Sequence, residues 1–454
     1  MAKGIIPHKL TDWSQIDESE SFWGKINLQK PEDNFGIHPY HNGLWTSGMI
    51  GVGRVFDKNG KSIQENGKEH ILVVTSNYGM DPWKMLEKVL GDEEYEAYTA
   101  ELEKENKFLF RIFFDQPAIP LEQDENSGAE LLYALSFINA CYSFCKKGLK
   151  TSLIYMTENY TAKLRGKIDV SKNVKYNTAR GRSDKFYCKY IDFTVDTVEN
   201  QIIKAALLRC KAILKQHFRE NPTVNHRIGY CVNTLRHVNG SRKLSNNDFN
   251  SVSVSGLYSY YKPVMEQARA ILGRKLHTYA EKDGSASRKR VYTIPYVINM
   301  ETLFEFYTRT ILKEALETSK YRLESYSHRL FLQKGVTKAE EAEKGIHLMA
   351  YCIPDIVICD KNTGKPAMVI DAKYKPDNRP VRADSHQLLS YVLLTGVDRC
   401  GFIFPGKTTG FKQMKSTQKS TQESSLPLSA EPVQYYEFIL GNDGGMSGIV
   451  ELLP

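Results

Sequence analysis

Three residues in the last third of the chain, Asp355, Asp371 and Lys373, have types and spacing suited to metal-assisted hydrolysis. They sit on two apolar runs, 353–358 (IPDIVI) and 367–373 (AMVIDAK), joined by the turn-forming segment 360–366 (DKNTGKP). Side chains alternate along a strand, so Asp371 and Lys373 share one face while Ile370 and Ala372 point to the other. Pairing of the two runs as a hairpin could bring Asp355 close to Asp371. Two adjacent carboxylates suit Mg²⁺, or Mn²⁺, because such ions take hard oxygen ligands and keep several waters. A lysine beside them can position or deprotonate an attacking water and offset charge on a scissile phosphate. An acid at the end of a buried strand is costly unless it has a partner or a role.

Flanking elements must hold these groups. A helix expected at 385–394, capped by Asp384-Ser385, places Gln387 and Tyr391 four residues apart on one face. A helix at about 298–316 carries Glu305, a candidate third carboxylate, with Glu301 one turn earlier as the alternative. The letters of 401–408 (GFIFPGKT) satisfy a phosphate-loop pattern. That motif needs a strand before its first glycine and a helix beginning at the lysine. Here the expected strand occupies the intervening positions, Pro405 stiffens the loop and no apolar helix follows, so no nucleotide-binding site is expected. His226, His237 and His386 read as packing or surface residues.

The pattern Pro354-Asp355…Asp371-Ala372-Lys373 resembles the PD-(D/E)xK nucleases, and Gln387-x-x-x-Tyr391 resembles the motif that follows the lysine strand in their exonuclease-like branch. More specifically, the chain resembles the McrC family, the nuclease subunit of McrBC-type modification-dependent restriction systems. The resemblance rests on Phe304-Glu305, Pro354-Asp355, 371–374 (DAKY) and 387–391 (QLLSY), together with 164–170 (LRGKIDV), 188–190 (CKY) and 196–207 (DTVENQIIKAAL). It covers about residues 150–405. It implies a Mg²⁺-dependent endodeoxyribonuclease with catalytic residues Asp355, Asp371, Lys373, Glu305, Gln387 and Tyr391, the metal being held by Asp355, Asp371 and Glu305. It further implies a McrB-like hexameric AAA+ ring as partner, which binds and hydrolyses GTP while this chain binds none, and double-stranded DNA as substrate. Two other readings compete: a structural activator of an AAA+ motor, and a PD-(D/E)xK restriction or repair nuclease indifferent to modified bases.

The whole chain sets the frame for these sites. Its 454 residues exceed one hydrophobic core. A composition 41% hydrophobic and 25% charged excludes a disordered chain, a collagen and a disulfide scaffold. The net charge of +8 is unevenly placed: −7 over residues 1–150, +15 over 151–300 and zero over 301–454. The middle third interleaves aromatics with Lys163, Arg165, Lys167, Lys172, Lys175, Arg180, Arg182 and Lys185, and adds a basic cluster at 288–290. Such a footprint suits a DNA backbone, whereas the acidic front suits a protein partner. The expected fold is multidomain α+β: a β-rich docking region at 1–150, a basic and mainly helical region at 151–290, and a restriction-endonuclease-like domain at 291–454 with a mixed sheet flanked by helices. Further expectations are a flexible boundary at 281–290, a mobile loop at 414–429 and a closing strand at 449–453. The eight cysteines are scattered and lack zinc spacing, which predicts reduced, buried thiols. With no signal peptide and no membrane span discernible, the sequence predicts a cytoplasmic protein.

Overall fold

The computed structural model describes residues 4–28, 34–92, 102, 107–122, 129–219, 221–252, 256–272, 290–326, 330, 352–375, 379–415 and 433–454. The chain divides into two compact units, residues 1–113 with 295–454, and residues 114–294.

Two sheets organise the first unit. One has the order Ile5–Thr11, Lys68–Thr75, Met49–Arg54, Tyr296–Asn299, Phe110–Ile112. Its first two strands are parallel and the remaining pairs antiparallel. The other has the order Tyr321–Leu323, Ile356–Asp360, Pro366–Ala372, Arg399–Pro405, Gln434–Leu440, Gly410–Lys415. It opens on an antiparallel hairpin, continues in parallel across three strands and closes with an antiparallel edge. A parallel neighbour cannot be reached by a tight turn, and helix Arg382–Thr395 makes the crossover from Pro366–Ala372 to Arg399–Pro405. Leu388 and Tyr391 of that helix close a core with Val357, Val369, Cys400, Phe402 and Phe404 of the sheet.

Helix Met300–Leu316 leaves directly from the Tyr296–Asn299 strand of the first sheet. The Asn299 side chain caps it, accepting from the Glu301 and Thr302 amides at 3.1 and 3.2 Å. Residues Thr302 to Leu312 are buried without a break, so the helix is enclosed on all sides.

The division at 150/151 expected from sequence does not coincide with the units. Strands from the first 75 residues share a sheet with Tyr296–Asn299, a pairing between distant segments that leaves no local signature. The closing strand expected at 449–453 is a 3₁₀ turn, Ser447–Leu452. Gln434–Leu440 is already paired on both sides, and Gly410–Lys415 takes the edge. That edge strand also reaches into the start of the expected loop; residues 416–432, and the boundary expected at 281–290 apart from Arg290, lie outside the described residues.

In the second unit, helices Ala129–Lys147, Val198–His217, Pro222–Thr234 and Tyr261–Leu272 pack together. A long antiparallel pair, Ser152–Thr161 with Lys185–Thr194, and the short strand Lys167–Ile168 form a separate sheet, a larger β component than the sequence predicted. Fully buried Asn200 ties the helices to the start of this ribbon. Its Nδ2 donates to the Lys150 and Val195 carbonyls at 3.0 and 2.7 Å, and its Oδ1 accepts from Tyr261 at 2.7 Å. Asn200→Ala would strand three buried polar groups, and a loss of about 2–4 kcal/mol is expected. Chemical denaturation followed by circular dichroism measures it.

Candidate active site on the mixed sheet

The hairpin register pairs Ile356 with Ile370 and Val357 with Val369; carried one step further, it sets Asp355 opposite Asp371. Asp355 stands at the mouth of its strand, where its Oδ2 accepts from the Ala372 amide at 3.0 Å. Asp371 is completely buried. Its Oδ2 lies 2.6 Å from Lys373 Nζ in ion-pair contact, while Oδ1 has no hydrogen-bond partner. Burial, reinforced by the Asp355 charge, pushes the Asp371 carboxyl up to about 8. Burial opposes the charge on Lys373, yet Asp355 and Asp371 outweigh it and hold its pKa above the ordinary value. The lysine is therefore an ammonium, suited to electrostatic work rather than to accepting a proton.

Glu305, nearly buried on helix Met300–Leu316, faces the same centre. Burial and the nearby Asp355 push it up to about 7, and its Oε1 accepts no hydrogen bond. Lys107 Nζ approaches its other oxygen to 4.0 Å. Glu301, one turn earlier, is raised by burial of its carboxyl and pulled down by Lys375 and Lys373. Glu305 thus sits with the aspartates and Glu301 with the lysines. A Cβ on Gly48 would stand 2.9 Å from Glu301 Cγ, so this glycine allows the close approach.

Gln387 and Tyr391 brace the centre. Gln387 Oε1 accepts from Lys373 at 3.4 Å, and its Nε2 donates to the Tyr391 hydroxyl at 2.6 Å. Tyr391 in turn donates to the Ile353 carbonyl at 3.0 Å, just ahead of Asp355. The helix carrying them starts at Arg382, earlier than expected, because Asp384 lies inside its first turn and accepts from the Val381 amide at 2.8 Å. Asp384 also accepts from Lys375 Nζ at 2.7 Å.

Sequence reading overlooked a second layer. Arg309 donates to the Asp355 and Glu324 carbonyls at 2.6 and 2.8 Å, fixing the entry to the Asp355 strand. Fully buried Asp12 accepts from the Tyr374 hydroxyl at 2.6 Å and from the Asn77 amide at 2.6 Å, while Ser76 Oγ lies 3.0 Å from the same hydroxyl. Tyr78 donates to the Lys375 carbonyl. The first sheet thereby clamps the two residues that follow Lys373. The only sequence signal for this was an apolar tyrosine next to the lysine.

The phosphate-loop letters fall as expected: residues 402–405 are strand, and strand Gly410–Lys415 follows instead of a helix. A Cβ on Gly401 would stand 2.4 Å from the Tyr436 carbonyl, so that glycine serves strand packing.

The basic residues of the middle third lie on the second unit's sheet and its short helix Val170–Tyr176. Lys163, Arg165, Lys167, Lys172, Lys175, Arg180 and Arg182 are exposed and Lys185 half-buried. Several lie over tyrosine rings, Arg165 at 3.9 Å from the Tyr190 centroid and Lys172 at 5.5 Å from that of Tyr187. The same ribbon exposes apolar cross-strand pairs, Leu153 opposite Phe193 and Tyr155 opposite Ile191, with Tyr155 at 86%. Patches of this kind mark protein contacts.

Fold and centre together define a two-unit α+β protein with a lysine-paired carboxylate cluster at the end of a mixed sheet. Residues 104–405 match the family described as McrBC 5-methylcytosine restriction system component, and the chain belongs to that family. The McrC resemblance seen in its motifs agrees with this membership. No curated protein matches the chain. Among solved structures, it is similar to a chain in the assembly of Thermococcus gammatolerans McrB AAA+ hexamers with bound McrC, at 12% identity over 96% of this chain and 94% of that one, TM-score 0.36. It is also similar to a chain of the Thermococcus gammatolerans McrBC complex, at 12% identity over 68% and 88%, TM-score 0.29. Among the described residues, no helix is long and apolar enough to cross a membrane.

If the clamp positions the centre, Tyr374→Phe leaves Asp12 buried without its donor and is expected to cost about 1–3 kcal/mol. Gly48→Ala should displace Glu301 with little change in stability. Denaturation midpoints, set beside metal-binding titrations, separate the two effects.

Proposed function

We propose that the protein is the DNA-cutting subunit of a McrBC-like restriction system, an endonuclease whose centre is Asp355, Asp371, Glu305 and Lys373. The observation that carries this reading is the buried carboxylate cluster with unsatisfied oxygens on Asp371 and Glu305, beside a charged lysine. Such a donor set fits a hard divalent cation, Mg²⁺ or Mn²⁺. Bound there, the ion would polarise a phosphodiester and lower the pKa of a water. Asp355, Asp371 and Glu305 would hold it. Lys373 would orient the attacking water and balance charge building on the phosphate, with Gln387 fixing its ammonium and Tyr391 fixing the strand entry. The exposed basic residues from Lys163 to Lys185 would track the DNA backbone, giving salt-sensitive affinity with little sequence preference.

In this reading an AAA+ GTPase ring of the McrB kind is the partner and supplies the nucleotide chemistry. The apolar pairs Leu153–Phe193 and Tyr155–Ile191 favour a protein contact on the second unit, supporting a scaffold and activator role alongside the nuclease. Removing residues 1–150 would not test that role, because it would delete strands that share a sheet with Tyr296–Asn299. Tyr155→Asp with Phe193→Asp is the cleaner probe.

Asp371→Ala and Lys373→Ala are each expected to lower DNA cleavage by at least about 10³-fold when assembled with the ring, on the scale of losing a major charge-stabilising group. Partner GTP hydrolysis should stay intact in both. The Tyr155/Phe193 double variant should give the opposite pattern in hydrolysis assays. Undiminished cutting by Asp371→Ala protein would refute the assignment.

The raised carboxyl groups also set a pH dependence. Asp371 at about 8 and Glu305 at about 7 are substantially protonated at neutral pH, and a cation must displace those protons. Mn²⁺ affinity should therefore climb between pH 6 and 8.5, by up to about tenfold per pH unit for each displaced proton. Thermal-shift titrations at the two pH values measure this, and Asp371→Asn should flatten the slope.

A further inference from the structure

Away from the carboxylate centre, three cysteines of the second unit converge. Cys141 and Cys145 lie one turn apart on helix Ala129–Lys147, and Cys231 enters from helix Pro222–Thr234. All three are buried, and their sulfurs lie within 4.8 Å of one another. Their thiols hydrogen-bond among themselves, which raises Cys141 and lowers Cys231. Cys231 also feels the positive charge of Arg227, one turn before it on the same helix. Among the described residues no histidine or carboxylate joins the group.

The geometry suits a soft ion. Bonds of about 2.3 Å from one metal to three sulfurs require sulfur separations of roughly 3.8–4.0 Å, so closing the triangle takes shifts below about 1 Å. Thiolates select soft ions over Mg²⁺ or Ca²⁺. Charge favours a divalent ion: three thiolates around it leave a net of −1, which Arg227 can offset, whereas a monovalent ion would leave −2 in an apolar interior.

We propose that Cys141, Cys145 and Cys231 form a site for one thiophilic divalent ion, Zn²⁺ or its surrogates Co²⁺ and Cd²⁺, with one water completing the tetrahedron. Each thiol gives its proton to solvent on binding, so loading one ion releases three protons and breaks no other bond. The ion would pin helix Pro222–Thr234 to helix Ala129–Lys147, serving the helical unit and not the hydrolytic centre.

Co²⁺ added to the full-length, reduced Asp371→Ala protein, in which the carboxylate centre is disabled, tests this. The expected result is one equivalent bound, with sulfur-to-cobalt charge-transfer absorption, the visible bands of a tetrahedral ion, and displacement by Zn²⁺. The sulfur band discriminates against the other grouping able to hold a metal, His8, Glu20 and His70, which has no sulfur. Cys231→Ser should abolish the band, and Cys210→Ser, altering a buried thiol outside the group, should retain it. Native mass spectrometry of protein with all eight cysteines intact should show one zinc added and three protons lost, which keeps the test valid if Cys231→Ser fails to fold. Absence of the band, its persistence in a folded Cys231→Ser protein, or a native mass two hydrogens light from a Cys141–Cys231 disulfide would overturn the proposal.

Discussion

The structure of the first unit depends on one constraint: a fully buried carboxylate, Asp371, must be tolerated at the end of a central strand. An isolated ionised carboxylate in such a place is strongly disfavoured, and the protein meets the cost with Lys373 at 2.6 Å and with partial protonation of the group itself. Asp355 then stands across the hairpin and Glu305 comes in from the enclosed helix, adding negative charge where charge is least welcome. A cluster of this kind stays costly until a cation or additional protons neutralise it. That is the physical sense in which the centre is poised for a metal.

Holding such a cluster together requires rigid supports on several sides, and the chain supplies them from far apart. Gln387 and Tyr391 link the lysine to the segment entering the Asp355 strand, Arg309 grips the backbone at Asp355, and Asp12 with Ser76 and Tyr78 fastens Tyr374 and Lys375. The first sheet is therefore part of the architecture of the centre. Its residues explain why the front of the chain cannot be regarded as a separable docking module.

The second unit follows another logic. Its helices close around Asn200 and a trio of thiols, while its ribbon carries charge and apolar side chains outward. Basic side chains lying over tyrosine rings keep their charge available to a polyanion, and the unpaired apolar rows beside them suit a protein. Two partners of different chemistry can thus be served by one sheet, in a family defined by restriction of 5-methylcytosine-containing DNA.

Much of the centre was legible in the sequence because its signals are local. Alternation put Asp371 and Lys373 on one face, helical spacing put Gln387 beside Tyr391, and turn residues at 360–366 announced the hairpin. Heptad-scale spacing likewise marked helices such as Val198–His217. What the sequence could not supply were contacts whose partners lie hundreds of residues apart. Asp12 meets Tyr374 across 362 positions, and Met49–Arg54 pairs with Tyr296–Asn299, because sheet pairing is set by the burial of whole faces and leaves no periodic trace. Cys231 joins Cys141 and Cys145 for the same reason: helix packing, and not spacing along the chain, brings them together. The sequence by itself determined which residues could do chemistry and on which element each stands. Only the tertiary structure decided which of them share a low-dielectric interior, and that shared burial is what raises Asp371 and Glu305 and keeps Lys373 charged.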